Sequence, residues 1–153
     1  MDIVVQEYVR KLDNIFIIAK NIDKDNDELR AHMAKYLCIR ISGLMETFFK
    51  RKIANYLNGK TPKPVESYVN NAFKTFSSVS TKKIVTTMEI FSHDWASDFQ
   101  ENITDTQKAS LDAIIANRHH LAHGKDHGLT LKQIEEHYNN IKEIMALVEI
   151  IIA

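Results

Sequence analysis

The densest concentration of groups able to move protons or hold phosphate is Asn117-Arg118-His119-His120-Leu121-Ala122-His123-Gly124. Three of the chain's seven histidines fall within five positions there, beside an arginine. Imidazole changes charge near neutral pH, so it can take up a proton and give it back. Arg118 is permanently charged and presents a planar fork matched to phosphate oxygens. Phosphate binding joined to proton transfer suggests RNA cleavage without a metal. A base removes the proton of a ribose 2′-OH, the oxygen attacks the adjacent phosphorus, and cations hold the charged oxygens. Gly124 ends the predicted helix, which makes His123 its last residue or its cap. Unpaired carbonyls at a helix C-terminus favour a cation, which suits an imidazole that must carry a proton.

Spacing limits what one copy of this stretch can do. Arg118 and His123 are five residues apart, so on a straight helix they point about 140° from each other. His119 and His123, four apart, share a face. Two copies facing each other across a two-fold axis would bring two arginines and two histidines around one cleft. The plainer interpretation is a surface arginine and a helix-capping histidine. Another is zinc held by His119 and His123, with His120 or His127 as a third ligand. No cysteine and no placed carboxylate completes a tetrahedral set, so neither a metal nor a cofactor is expected.

The elements that must position this stretch read as helices. Residues 3–20 place Val5, Tyr8, Val9, Leu12, Ile15, Phe16 and Ala19 at steps of three and four. Asp25 or Asn26 caps a second helix that runs to Leu57, about 45 Å long and the expected spine of the fold. Gly43 in its middle suggests the close approach of another element, or a bend. Asn58-Gly59 and Lys60-Thr61-Pro62-Lys63-Pro64 form the clear breaker segment. Residues 65–77 and 81–100 read as two shorter helices. The β-branched run Ile84 to Thr87 finds no partner strand and stays helical. Thr104 or Asp105 caps the fifth helix, and residues 124–128 make a short loop. Thr130 and Gln133 form a capping box for the last helix.

Composition places this scaffold in an ordinary class. The chain has 153 residues, 44% hydrophobic and 26% charged, with four Gly and two Pro. One domain spanning residues 1–153 is the expectation. Twenty basic and twenty acidic side chains cancel, so the molecule as a whole is no polyelectrolyte binder. Any RNA affinity must come from a local patch. Residues 40–64 supply one: Arg40, Lys50, Arg51, Lys52, Lys60 and Lys63 against Glu46 alone, an excess of five positive charges. Lys50, Arg51 and Lys52 are accordingly candidate RNA-binding residues. The lone Cys38 lies in an apolar run and reads as a buried thiol in a reducing compartment. No secretory signal or membrane-length apolar run is recognisable, and the expected location is cytoplasmic. Trp95 and the Phe and Tyr residues read as core, and His32, His93 and His137 as ordinary polar or half-buried positions.

Arg118-x-x-x-x-His123, with a polar residue after the arginine and Ala-His-Gly at its end, resembles the HEPN superfamily. The eight residues beginning at Asn117 look most like its RiboL-PSP-type branch. The resemblance implies a HEPN-like all-α bundle of five to six helices, a homodimer, and a metal-independent endoribonuclease. Such proteins act as toxins of toxin–antitoxin systems or as phage-defence effectors. Arg118 and His123 would be the defining positions, and His119 the variable polar one. His123 would serve as base and then acid, Arg118 would stabilise the developing charge, and His119 and Asn117 would position them. The family also carries an acidic residue on an earlier helix that touches the motif arginine. Glu46 is the candidate, although pairing with Lys50 four residues on would explain it as well. The competing reading is a catalytically silent helical module whose partner is a nucleotidyltransferase-type antitoxin or another protein.

Overall fold

The computed structural model describes residues 1–124 and 128–153. Among them, seven α-helices follow in order: α1 (Ile3–Lys20), α2 (Asp27–Leu57), α3 (Lys63–Ala72), α4 (Thr81–Phe91), α5 (His93–Asn102), α6 (Asp105–Ala122) and α7 (Leu131–Ile151). A 3-10 turn, Phe73–Thr75, follows α3, and no strand occurs among the described residues. Short polar side chains start most of these helices by accepting a backbone N–H of the first turn. Asp2, Asn26, Ser80, Ser92, Thr104 and Thr130 all do so. Thr104 with Gln107, and Thr130 with Gln133, complete reciprocal capping boxes.

Seven helices replace the five or six expected, because residues 81–100 are two helices. Ser92 leaves the helical conformation at φ −162° and ψ 121°. Its N–H still reaches the Met88 carbonyl at 2.7 Å, which closes α4. Its hydroxyl accepts the Trp95 N–H at 3.4 Å, which opens α5. One serine thus ends one helix and starts the next. Helix α3 also stops at Ala72 and not at 77, and residues 76–80 then run extended or turned to Ser80.

Long-range side-chain pairs fix how the long helices run. Asp2 meets Arg51 and Asn55, while Tyr8 meets Arg40, so α1 runs against α2. Lys52 meets Glu149 near one end, and Ala34 shares a depression with Leu131 near the other, so α2 and α7 run the same way. Ser110 meets His137 and Asn140, and Gln107 meets Glu143, so α6 returns against α7. The inward stripes of these four helices and of α4 and α5 merge into one buried cluster reaching from Val5 to Ile152. Tyr138 and Phe16 stack within it at 5.0 Å. A second aromatic run, Phe49–Phe76–Phe73–Phe91–Trp95–Tyr56, ties α3, α4 and α5 to α2. The aromatic residues of this run therefore serve packing.

Candidate active site

The histidine-rich stretch occupies the last turn of α6, and its local geometry follows from the sequence. Ser110, Leu111, Ile114 and Asn117 form the buried stripe of α6, at steps of three and four. His123 is the C-cap, at φ −95° and ψ 14°, with its N–H accepted by the carbonyls of His119 and His120 at 3.2 Å each. Gly124 then takes the left-handed conformation, φ 70°, that glycine supplies without steric cost.

Asn117 turns inward and is only 6% exposed. Its Nδ2 donates to Cys38 Sγ at 3.2 Å, and that thiol donates to the Ile114 carbonyl at 3.5 Å. Burial pushes the Cys38 thiol up, opposed by the Asn117 hydrogen bond and by the positive charge of Arg118. Arg118 is half-buried, and its charge reaches the Cys38 thiol on α2. His119 and His123 are exposed, with ring centroids 4.4 Å apart in an edge-to-face arrangement. His120 is half-buried, its ring 6.3 Å from that of His119. The structure thus joins His119 to His123 as their spacing required. It makes no hydrogen bond between Arg118 and His123. At about 100° per residue, Arg118 and the histidine pair leave α6 in different directions.

His119 and His120 form the rim of an open depression of about 350 Å³, whose far wall is Ser78, Ser80 and Lys82. None of those wall residues was singled out from the sequence. Their signal was weak, because serines and a lysine in a connecting segment look the same whether or not they border a site.

Glu46 and the basic stretch have partners that the sequence did not show. Glu46 is half-buried on α2, but its Oε1 accepts the backbone N–H of Ser78 at 3.1 Å. Neither an Arg118 contact nor a Lys50 pair forms at Glu46 among the described residues. The carboxylate holds the wall of the depression instead, because the segment after α3 folds back over that turn of α2. The basic stretch is largely spent within the chain. Arg51 donates to Asp2 at 2.6 Å, Lys52 to Glu149 at 2.8 Å, and Lys63 pairs with Glu66 at 3.0 Å. Arg40 packs over the Tyr8 ring at 4.9 Å and Lys60 over the Tyr56 ring at 4.2 Å. Lys50 alone of the three candidate RNA-binding residues keeps a side chain without an ion pair among the described residues. Residues 50–52 also lie about 20 Å along α2 from the turn that meets Asn117.

The other histidines have ordinary places. His93 pairs with Glu89 at 2.8 Å, His32 lies 3.8 Å from Glu28, and His137 meets the Ser110 hydroxyl at 3.0 Å. His127, weighed as a third metal ligand, lies outside the described residues. Among those described, no group of three His, Cys, Asp or Glu is placed to hold a metal ion. No helix among them is long and apolar enough to cross a membrane.

An all-α chain with a histidine pair and an arginine on the last turn of its sixth helix defines a recognisable class. The family model described as RiboL-PSP-HEPN matches residues 5–153, nearly the whole chain, and the protein belongs to that family. HEPN domains commonly include ribonucleases. No match was found among curated proteins or among solved structures.

Proposed function

We propose that the protein is a metal-independent endoribonuclease that works as a homodimer, with a catalytic cleft shared by two protomers. The observation that carries this is the exposed His119–His123 pair, rings 4.4 Å apart, capping α6 of a HEPN-family chain. His123 takes the 2′-OH proton of a ribose, and the freed oxygen attacks the adjacent phosphorus. The bond from phosphorus to the 5′-oxygen breaks as that oxygen receives the proton back from His123. The products are a 2′,3′-cyclic phosphate and a free 5′-hydroxyl. Arg118 stabilises the charge gathered on the phosphoryl oxygens. His119 orients His123 across their shared face, and Asn117 positions both by anchoring the last turn to Cys38. Because Arg118 and His123 diverge within one chain, the arginine that meets a given histidine comes from the second protomer.

Cleavage of RNA in EDTA by the purified protein tests the chemistry. Wild type is expected to leave 2′,3′-cyclic ends, and His123→Ala to lose at least a hundredfold in rate. Equal cleavage by that variant would remove His123 from the mechanism. In the cell, such an enzyme acts as a toxin or phage-defence effector, restrained by an antitoxin such as a nucleotidyltransferase-type protein. Growth arrest on expression, relieved by Arg118→Ala, separates this from a silent interaction module, which would be harmless in both forms.

A further inference from the structure

We infer that the trough between α4 and α6 is the path along which single-stranded RNA reaches the histidines, an inference that rests on the ribonuclease reading. Two open depressions make the trough. The first, about 350 Å³, runs from His119 and His120 to Lys82 and Asp112. The second, about 410 Å³, continues from Lys82 and Asp112 to Gln100 and Lys108. Lys82 and Asp112 line both, so the two are one continuous surface. From Lys108 to His120 the α6 axis advances about 18 Å, room for about five nucleotides at stacked spacing.

The lining suits a polynucleotide. Val85, Ile103 and Ile115 give an apolar floor against which base faces can lie. Ser78, Ser80 and Gln100 offer polar groups along its edges. Lys82 stands exposed at the junction with no carboxylate partner among the described residues. Lys108 has only a 3.8 Å pair with the fully exposed Asp105, which a phosphate readily displaces. Asp112 is the one acid at the junction, and its Oδ1 is engaged by the Thr81 N–H at 2.9 Å.

The wall nearest the histidines is built rather than incidental. Ser78 sits at φ 53°, a left-handed conformation that a non-glycine residue adopts only when its surroundings enforce it. Glu46 enforces it by accepting the Ser78 N–H, and the Lys83 ammonium donates to the neighbouring Ser77 carbonyl. Strain of this kind, held by a carboxylate from the central helix, fixes the mouth of the trough beside His119. The basic residues 50–52, consumed largely by Asp2 and Glu149, leave this trough as the cationic route to the site.

Binding separates the path from the chemistry. Full-length His123→Ala is titrated against a labelled single-stranded oligoribonucleotide, with and without Lys82→Glu/Lys108→Glu. The double variant is expected to bind at least tenfold more weakly, with a salt dependence shallower by one to two counterions. Lys11→Glu/Lys24→Glu, on the exposed side of α1 and in the exposed turn before α2, serves as the charge-matched control and should bind as its parent does. In the otherwise wild-type enzyme, the double substitution should raise KM far more than it lowers kcat. Unchanged affinity and KM with normal cleavage would overturn the path and leave the nuclease standing. Weakened RNA binding by the double variant, beside a wild type that binds RNA but cleaves nothing, would keep the path and overturn the nuclease. If the double variant instead dissociates a dimer in sedimentation, the trough is a protomer interface and the path is wrong.

Discussion

Asn117 and Cys38 show how a side chain turned inward can set the aim of neighbours turned outward. A buried amide needs partners, and Asn117 finds one in a thiol on α2 that is itself bonded to the Ile114 carbonyl. That chain fixes the rotation of the last α6 turn, and with it the directions of Arg118 and His119. Cys38→Ala removes the acceptor and strands the amide in the core, so it should cost about 1–3 kcal/mol in denaturant unfolding. Cys38→Ser restores a group that can both donate and accept, and should recover much of the loss. An alanine variant as stable as wild type would show that the pair contributes nothing. At the far end of α2, Asp2 caps α1 while pairing with Arg51 and Asn55. The hydrogen bond from Arg51 comes first among the causes that hold the Asp2 carboxyl well below the usual carboxylate range. A depressed folded-state value means the stabilisation is complete above the ordinary range near pH 4 and fades as pH falls below it. Asp2→Ala should therefore melt lower than wild type at pH 7, by about 1 kcal/mol of stability. The gap should narrow as the melts are taken toward pH 2, and a gap that widened with acid would reverse the assignment.

At the scale of the element, Gly43 is explained by what lies over it. A Cβ added there would fall 2.8 Å from the Tyr8 hydroxyl, which donates to the Arg40 carbonyl at 2.9 Å. Alanine is the better mid-helix residue by about 1 kcal/mol, yet here it must push that hydroxyl aside. Gly43→Ala should thus be neutral or destabilising alone, and stabilising by about 1 kcal/mol in a Tyr8→Phe background. Equal effects in both backgrounds, measured as a double-mutant cycle, would show that the hydroxyl is not the obstacle. The close approach over Gly43 was legible in the sequence because a glycine inside a helix needs a reason. Helix α1, a cap at Asp25 or Asn26, the Thr130–Gln133 capping box and the His123–Gly124 helix end were legible from local spacing. The Thr104–Gln107 box was not read, only a cap at Thr104 or Asp105. The break at Ser92 was not legible, since no Gly or Pro marks it and the apolar spacing continues across it. Within the site, the His119–His123 pairing could be read from four-residue spacing alone. The partners of Glu46, Arg51 and Lys52 could not, because they lie 32, 49 and 97 residues away in the chain. Local charge counts take no account of acids brought in from elsewhere by folding.

For the whole molecule, the divergence of Arg118 from the histidine pair decides what must be tested. If each active centre takes Arg118 from one protomer and His123 from the other, neither Arg118→Ala nor His123→Ala can cleave RNA alone. Mixed after partial unfolding and refolded together, the two variants form heterodimers in about half of the molecules, by random pairing of protomers. In each heterodimer the His123→Ala chain supplies an intact arginine to the intact histidine of the Arg118→Ala chain. One of the two centres is then complete and the other lacks both groups. Activity of the mixture should reach about a quarter of wild type, half the molecules carrying half the centres. A centre assembled within one chain predicts no recovery, because every protomer in the mixture lacks one group. Recovery should also depend on total protein concentration, falling away on dilution below the dimer dissociation constant, as mass action requires. Sedimentation of the same mixtures shows whether dimers are present at the concentrations assayed. Inactive mixtures in which heterodimers are abundant would return both groups to a single chain. The turn at His123 and Gly124 would then have to bring Arg118 and His123 together by itself.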